Sequence, residues 1–214
     1  MNNCIADSFN YVVTIMLYPY KKLGIGLLLS FVASVAHAGF EEGVSAYELG
    51  NYKNALKEFV LLAQKGDAKA LYNIGFMVEA GHGVPANPKL ALRWYQRAYE
   101  RKNQNAPFNM ALIYYNGTGG EQDYKLALDW YKKAAALGNG AALINIGQMY
   151  FFGKGVKKNK IKAYVWYTLA AHRGMRKALR NRDIVARKLT PLNMNNAEHE
   201  YRKLRIKYLD PFLK

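Results

Sequence analysis

The chain has 214 residues, a length that fits one domain or a domain with extensions. Its 51% hydrophobic and 14% aromatic residues exclude a disordered chain and are ample for a packed core. Lysine and arginine number 31 against 15 aspartate and glutamate residues, and this formal net charge of +16 favours acidic partners, anionic surfaces or nucleic acid.

Residues 1–38 have the pattern of an export signal. Two lysines precede an uncharged apolar run at 23–35, and a small-x-small cleavage motif ends at Ala38. The run is shorter than the ~20 residues that a membrane-spanning helix needs, so cleavage is favoured over an uncleaved anchor. We expect a periplasmic or secreted protein whose true start is Met16. Cys4 would be lost with the signal, which leaves no cysteine for a disulfide or a metal site.

Residues 39–66 predict a shortened helical unit with a tight turn at Gly50-Asn51. Ala55 and Gly66 keep the phase of the repeats that follow them. We therefore interpret this segment as an N-terminal hairpin that caps the same stack of units.

Residues 67–174 repeat with a period of 36 residues. A Trp-Tyr pair recurs at this interval, and columns of alanine keep the same phase without a gap. So many columns in register indicate a stack of similar structural units. The tryptophans of the pair and the glycines that share its period are Trp94, Trp130, Trp166, Gly81, Gly83, Gly117, Gly119, Gly153 and Gly155.

Each unit is predicted to be two helices joined by a Gly-x-Gly loop. In the first unit, apolar residues are spaced as one face of a helix over 71–78 and again over 91–98. Glycine permits the backbone angles that end the first helix, and a column of N-capping residues begins the second. A column of small residues would let the paired helix approach closely, while tryptophan fills the space between neighbours. The capping and small residues are Asn87, Asp123, Asn159, Gly75, Ala111 and Gly147.

The loop of the third unit contains Lys154 and invites comparison with a phosphate-binding loop. Such a loop needs four residues between its glycines and a Ser or Thr after the lysine. Here five residues separate the corresponding glycines, and Gly155 follows the lysine. His82 and Thr118 occupy the same position in the other units. We therefore interpret the loop as a connection whose geometry is set by its glycines.

The third unit has a recognisable consensus. Residues 142–174 read A-L-x-N-I-G-x-M-Y-x-x-G-x-G-V-x-x-N-x-x-x-A-x-x-W-Y-x-x-A-A-x-x-G. This resembles the Sel-one-like repeat family, a branch of the tetratricopeptide-like helical solenoids. Residues 67–102 and 103–138 match the same pattern, with departures where Lys102 replaces the expected glycine, Gly120 the expected valine and Val78 the expected tyrosine.

The resemblance implies an all-α, right-handed solenoid of antiparallel helix hairpins. Members of the family are typically interaction scaffolds without a cofactor, often exported in bacteria, so a protein or peptide is the implied partner. Some cysteine-rich relatives have been linked to β-lactam binding or hydrolysis, but their paired cysteines are absent from this sequence.

Residues 175–214 predict two C-terminal capping helices, the second beginning at Thr190-Pro191. Basic charge is concentrated in this part of the chain: residues 154–162 contain five lysines, and 176–214 contain eleven basic against four acidic residues. We interpret these runs as a solvated face, with contact to an acidic partner or an anionic envelope component as the alternative. Nucleic acid is disfavoured in an exported protein.

The candidate partner-binding residues lie on the first helix of each unit. Asparagine is an indifferent helix former, so a column of three requires a reason. Either the amides hold the backbone of an extended peptide on the concave face, or they fix the stacking of the repeats. Varied and aromatic neighbours on this helix would supply specificity. The predicted partner-binding residues are Asn73, Asn109, Asn145, Phe76, Leu112, Gln148, Tyr115 and Phe152.

Residues suited to catalysis are few in the exported region. Its one serine, Ser45, lacks the Ser-x-x-Lys arrangement, and its histidines share no metal-ligand spacing. We therefore expect no catalytic, metal or cofactor site, and we interpret the protein as an exported, non-enzymatic scaffold. Two alternatives stay open: an envelope enzyme or regulator related to peptidoglycan or β-lactams, and a basic binder of anionic surfaces.

Overall fold

The computed structural model describes residues 39–213, so the predicted signal at 1–38, with Met16 and Cys4, lies outside the described residues. Helices account for nearly all of the described chain, which contains no strand. In chain order the helices are α1 (39–48), α2 (Tyr52–Gln64), α3 (Ala68–Ala80), α4 (Pro88–Glu100), α5 (Ala106–Asn116), α6 (Tyr124–Ala136), α7 (Gly140–Phe152), α8 (Lys160–His172), α9 (Arg176–Ala186) and α10 (Pro191–Tyr208), followed by a 3-10 turn at Asp210–Phe212.

The helices stack in sequence order. From α2 to α9 each helix packs on the next, and the closest pairs are α3 with α4, α5 with α6 and α7 with α8, which are the hairpins of the three repeats. At the C-terminal end, α9 and α10 both pack on α8. The predicted all-α solenoid of helix hairpins is confirmed.

The connection inside each repeat is a seven-residue loop with the same construction. Gly81, Gly117 and Gly153 end the first helices in the left-handed conformation, with φ between 71° and 78°. The predicted N-caps then begin the second helices, because their side-chain oxygens each accept a backbone N–H at 2.9 Å. These N-caps are Asn87, Asp123 and Asn159.

The tyrosine of each Trp-Tyr pair fills the inside of the hairpin. Tyr95 and Tyr167 are almost fully buried and lie directly against Gly75 and Gly147 of the partner helix. A Cβ added at Gly147 would lie 2.6 Å from the ring of Tyr167, which is far below van der Waals contact. The predicted close approach at the small residues is therefore confirmed, and a tyrosine occupies the space beneath them.

The tryptophans lie between neighbouring hairpins. Trp130 packs edge-on against Tyr99 of the preceding repeat with ring centroids 5.5 Å apart, and Trp166 packs against Tyr208 of α10 at 4.9 Å. Trp94 is half-buried, and a guanidinium group lies over its ring. The tryptophan column thus joins successive second helices, while the tyrosine column joins the two helices of one hairpin.

Burial of Tyr167 predicts a stability change at alkaline pH. Burial raises the pKa of Tyr167 to about 12, and its hydroxyl has no hydrogen-bond partner among residues 39–213. A raised folded-state pKa gives stability that is fully present below the unfolded value near 10 and is lost as pH rises toward 12. Relative to Tyr167→Phe, the wild type should lose about 1.4 kcal/mol of unfolding free energy per pH unit between pH 10 and 12.

Urea unfolding of both proteins at several pH values measures this difference. Below about pH 9 the two free energies of unfolding should run parallel, because the tyrosine is protonated in both states. Parallel curves that continue up to pH 12 would show that Tyr167 titrates normally.

Candidate partner-binding face

The first helices of successive units carry exposed and half-buried side chains that together form a surface. We call this surface the first-helix face and define it by Tyr47, Asn73, Phe76, Asn109, Leu112, Asn145 and Gln148. Contacts join successive helices across it, since the rings of Tyr47 on α1 and Phe76 on α3 lie 6.2 Å apart. On α5 the Asn109 amide reaches Tyr72 of α3 at 3.2 Å.

The side-chain nitrogen of Asn109 makes two hydrogen bonds to neighbouring helices. That nitrogen donates to the hydroxyl of Tyr72 at 3.2 Å and to the hydroxyl of Tyr95 at 3.0 Å. Tyr95 in turn donates to the Glu79 carboxylate at 2.7 Å, so one chain of bonds links α3, α4 and α5. Burial and the neighbouring Glu79 raise the pKa of Tyr95, which keeps its proton available for this bond. The side-chain oxygen of Asn109 has no hydrogen-bond partner among the described residues.

Asn145 repeats part of this arrangement one unit later. Burial raises the pKa of Tyr131, and a hydrogen bond from Asn145 opposes that rise. Tyr131 precedes Asn145 by the same 14 positions that separate Tyr95 from Asn109. The amide of Asn109 thus has the stacking role that the sequence left open.

Asn73 differs from the other two members of the column. The residue 14 positions before it is Phe59, which has no hydroxyl group to accept a hydrogen bond. Asn73 is half-buried, and within residues 39–213 its amide makes no side-chain hydrogen bond. This amide is therefore available to donate to and accept from a ligand.

A groove lies beside Asn73 where α1, α2 and α3 meet. Its volume is about 340 Å³, and most of its lining is apolar. Phe76, which is 40% exposed, forms part of the groove wall. The aromatic and polar residues that line the groove are Tyr47, Phe59, Tyr72, Phe76, Glu48 and Asn73. The groove can hold an apolar side chain while the amide bonds a peptide backbone and the carboxylate attracts a basic group.

The remaining predicted site residues lie elsewhere on the repeats. Leu112 is half-buried and Gln148 is exposed on the first-helix face. Phe152 is 63% exposed and packs against Phe151 with centroids 5.0 Å apart. Tyr115 instead contacts the next repeat, where its hydroxyl accepts a hydrogen bond from Lys154. Their roles in partner binding stay predictions.

Lys154 has a structural function that the sequence interpretation missed. Its ammonium group donates to the Tyr115 hydroxyl at 2.8 Å and lies 5.2 Å from the ring centre of Tyr124. This hydrogen bond raises the pKa of Lys154. His82 fills the equivalent loop position, where it bonds the Tyr47 hydroxyl at 2.8 Å and stacks on Tyr52. Both loops therefore fasten one unit to the unit before it through a specific side chain, in addition to their glycines.

The described residues offer neither a cluster of metal-ligating side chains nor a helix suited to a membrane. No three His, Cys, Asp or Glu side chains within 39–213 are grouped so that they could hold a metal ion. Within the same range, no helix combines the length and the apolar character needed to cross a bilayer.

The chain is similar to known repeat proteins in sequence and in structure. The family model described as Sel1 repeat matches residues 68–103, 105–139 and 140–175. One similar crystal structure is c5321, a protective antigen present in uropathogenic Escherichia coli strains that displays an SLR fold, with a TM-score of 0.67 and 24% identity over 92% of this chain and 44% of that one. Another is a Sel1 repeat protein from Oxalobacter formigenes, with a TM-score of 0.61 and 29% identity over 68% of this chain and 58% of that one. The chain thus spans less than two thirds of the length of each of these structures.

Proposed function

The chain belongs to the Sel1 repeat family, and on that basis we propose that it is an exported, non-enzymatic scaffold that binds a partner polypeptide on its first-helix face. Proteins of this family are typically protein–protein interaction scaffolds. Export is proposed from the basic, apolar and small-residue segments that end at Ala38.

The groove beside Asn73 is the observation that supports this proposal most directly. It joins an apolar wall that includes the exposed Phe76 to the Asn73 amide, which has no side-chain hydrogen bond within residues 39–213. An extended segment can place one apolar side chain in the groove and pair its backbone with Asn73, because an amide both donates and accepts. The Glu48 carboxylate at the rim favours a basic residue next to that apolar side chain.

The neighbouring units extend the same surface in a fixed order. Leu112 and the side-chain oxygen of Asn109 follow on α5, and Gln148 follows on α7. Because the Asn109 amide of α5 already bonds tyrosines on α3 and α4, α5 is held in place beside the groove. A preformed surface loses little conformational freedom when it binds a segment.

Affinity capture with matched variants tests this function. Immobilised wild type, Phe76→Ala and Leu61→Ala are each incubated with a periplasmic extract, and the retained proteins are quantified by mass spectrometry. Phe76 and Leu61 are 40% and 42% exposed, but Leu61 lies outside the groove. We expect Phe76→Ala to reduce the retained partner about tenfold and Leu61→Ala to leave it nearly unchanged. Melting temperatures of all three proteins control for folding.

Equal retention by Phe76→Ala and Leu61→Ala would contradict binding in the groove. An Asn73→Ala variant separates the polar contribution, since it should weaken capture without lowering the melting temperature by more than a few degrees.

A further inference from the structure

In the first and third repeats, the interhelix loop packs closely on the backbone of the unit before it, whereas Gly119 in the second repeat lies mainly against side chains. A Cβ added at Gly155 would lie 2.6 Å from the carbonyl carbon of Tyr124, the first residue of α6. One added at Gly83 would lie 3.1 Å from the carbonyl carbon of Tyr52, the first residue of α2. We call such a contact surface, at the first turn of a second helix, a loop seat.

The loop seat at the start of α8 has no such loop on it. Lys160 begins α8 and is the residue that corresponds to Tyr124, 36 positions later. The connection between α9 and α10, residues 187–190, has four residues, whereas 153–159 has seven. Both α9 and α10 pack on α8, and Lys188 and Leu189 of the short connection line one cleft together with Lys160 in the first turn of α8.

A cleft of about 580 Å³ occupies this position. Its lining includes Lys158 and Lys160 at the start of α8 on one side, and Lys188, Leu189 and Asn193 around the start of α10 on the other. We call it the terminal cleft. No Gly-x-Gly loop of the described residues occupies it, whereas the equivalent seats at Tyr52 and Tyr124 each hold a loop of the next repeat.

The charges around the terminal cleft have one sign. Lys158, Lys160 and Lys188 line it, and no aspartate or glutamate does. Within residues 39–213, none of these three ammonium groups has a carboxylate within 4.0 Å. Lys158 and Lys188 both lie near the ring of Phe151, at 5.9 and 5.5 Å from its centre. Like charges brought this close favour a ligand that carries negative charge.

We propose that the terminal cleft binds an acidic polypeptide segment of a partner, which takes the place that a Gly-x-Gly loop takes in the other units. The equivalent seats show that this kind of surface accepts polypeptide backbone. The three lysines favour a segment that carries acidic side chains, because each ammonium group can pair with a carboxylate. The terminal cleft shares no lining residue with the groove beside Asn73, so binding at either site can be tested independently of the other.

Fluorescence anisotropy with a defined peptide tests the proposal. The probe is a labelled peptide of alternating glutamate and glycine, compared with a peptide in which glutamine replaces every glutamate. We expect the acidic peptide to bind the full chain and Lys158→Gln/Lys188→Gln to weaken this binding about tenfold. The control Lys53→Gln/Lys57→Gln removes the same charge from exposed positions on α2 and should change the affinity less than about twofold.

Three results would overturn the proposal. An equal loss in both double variants would mean that the peptide responds only to net charge. Equal affinity for the glutamine peptide would remove the role of the carboxylates. Failure of the acidic peptide to bind, together with phosphatidylglycerol vesicles that bind the wild type and lose binding in Lys158→Gln/Lys188→Gln, would assign the cleft to lipid headgroups.

Discussion

Replacing Gly147 by valine is expected to lower the free energy of unfolding by about 3 kcal/mol. Gly147 lies where α7 contacts α8, and its missing side chain leaves room for the ring of Tyr167. An added Cβ would lie 2.6 Å from that ring, and Tyr167 is almost fully buried. The hairpin must therefore open or the ring must leave its rotamer, and each costs packing energy. Urea unfolding followed by circular dichroism measures the change.

The neighbouring residue supplies a matched control. Gln148→Val places the same side chain one position further along α7, at an exposed site, and should change the free energy of unfolding by less than about 0.5 kcal/mol. A Tyr167→Leu background should reduce the cost of Gly147→Val, because the ring that the valine meets is gone. Equal costs for Gly147→Val and Gln148→Val would show that the helices are free to separate at this point.

Replacing Asn103 by leucine is also expected to cost about 3 kcal/mol, at roughly 1 kcal/mol for each hydrogen bond lost. Asn103 is buried between the first and second repeats. Its side-chain oxygen accepts the backbone N–H groups of Asn105 and Ala106 at 2.9 and 3.1 Å, which caps the start of α5. Its nitrogen donates to the Ala68 carbonyl at 3.1 Å, at the start of α3. Leucine fills the volume but leaves all three backbone groups without this partner.

An aspartate at the same position separates the two functions of Asn103. Asp67 and Asn139, each 36 residues away, cap their own helices with a side-chain oxygen, so Asn103→Asp should keep the cap. Only the bond to Ala68 would be lost, and the cost should fall to about 1–2 kcal/mol. If the leucine and aspartate variants unfold at the same urea concentration, the cap contributes nothing and the expected cost is wrong.

Lys102 adopts a left-handed backbone conformation that residues with a side chain disfavour. The residues at this position in the other units are Gly66, Gly138 and Gly174, and all have positive φ. Lys102 keeps the same conformation, with φ of 67°, although a left-handed residue with a side chain costs about 1–2 kcal/mol. The adjacent bonds of Asn103 hold this turn in place.

The candidate site was only partly predictable. The sequence indicated that Asn73, Asn109 and Asn145 share one helix face, because their spacing matches the repeat. It could not show which amides are already bonded, since the partners of Asn109 come from residues 14 and 37 positions away. The sequence did indicate that Asn73 differs, because Phe59 occupies the tyrosine position 14 residues before it and has no hydroxyl group. The contacts of Lys154 and His82 were also missed, because their tyrosine partners belong to the preceding unit.

The 36-residue period by itself determined the helices, their pairing and the family. A repeated unit with small residues on one helix and a large aromatic on the next can bury its apolar surface only by stacking on copies of itself. Only the tertiary structure decided where that stack stays open. The groove beside Asn73 depends on how α1, α2 and α3 meet, and the terminal cleft depends on the short connection between α9 and α10. Both are set by contacts between units, and these do not follow the period because residues 39–66 and 175–213 depart from the 36-residue pattern.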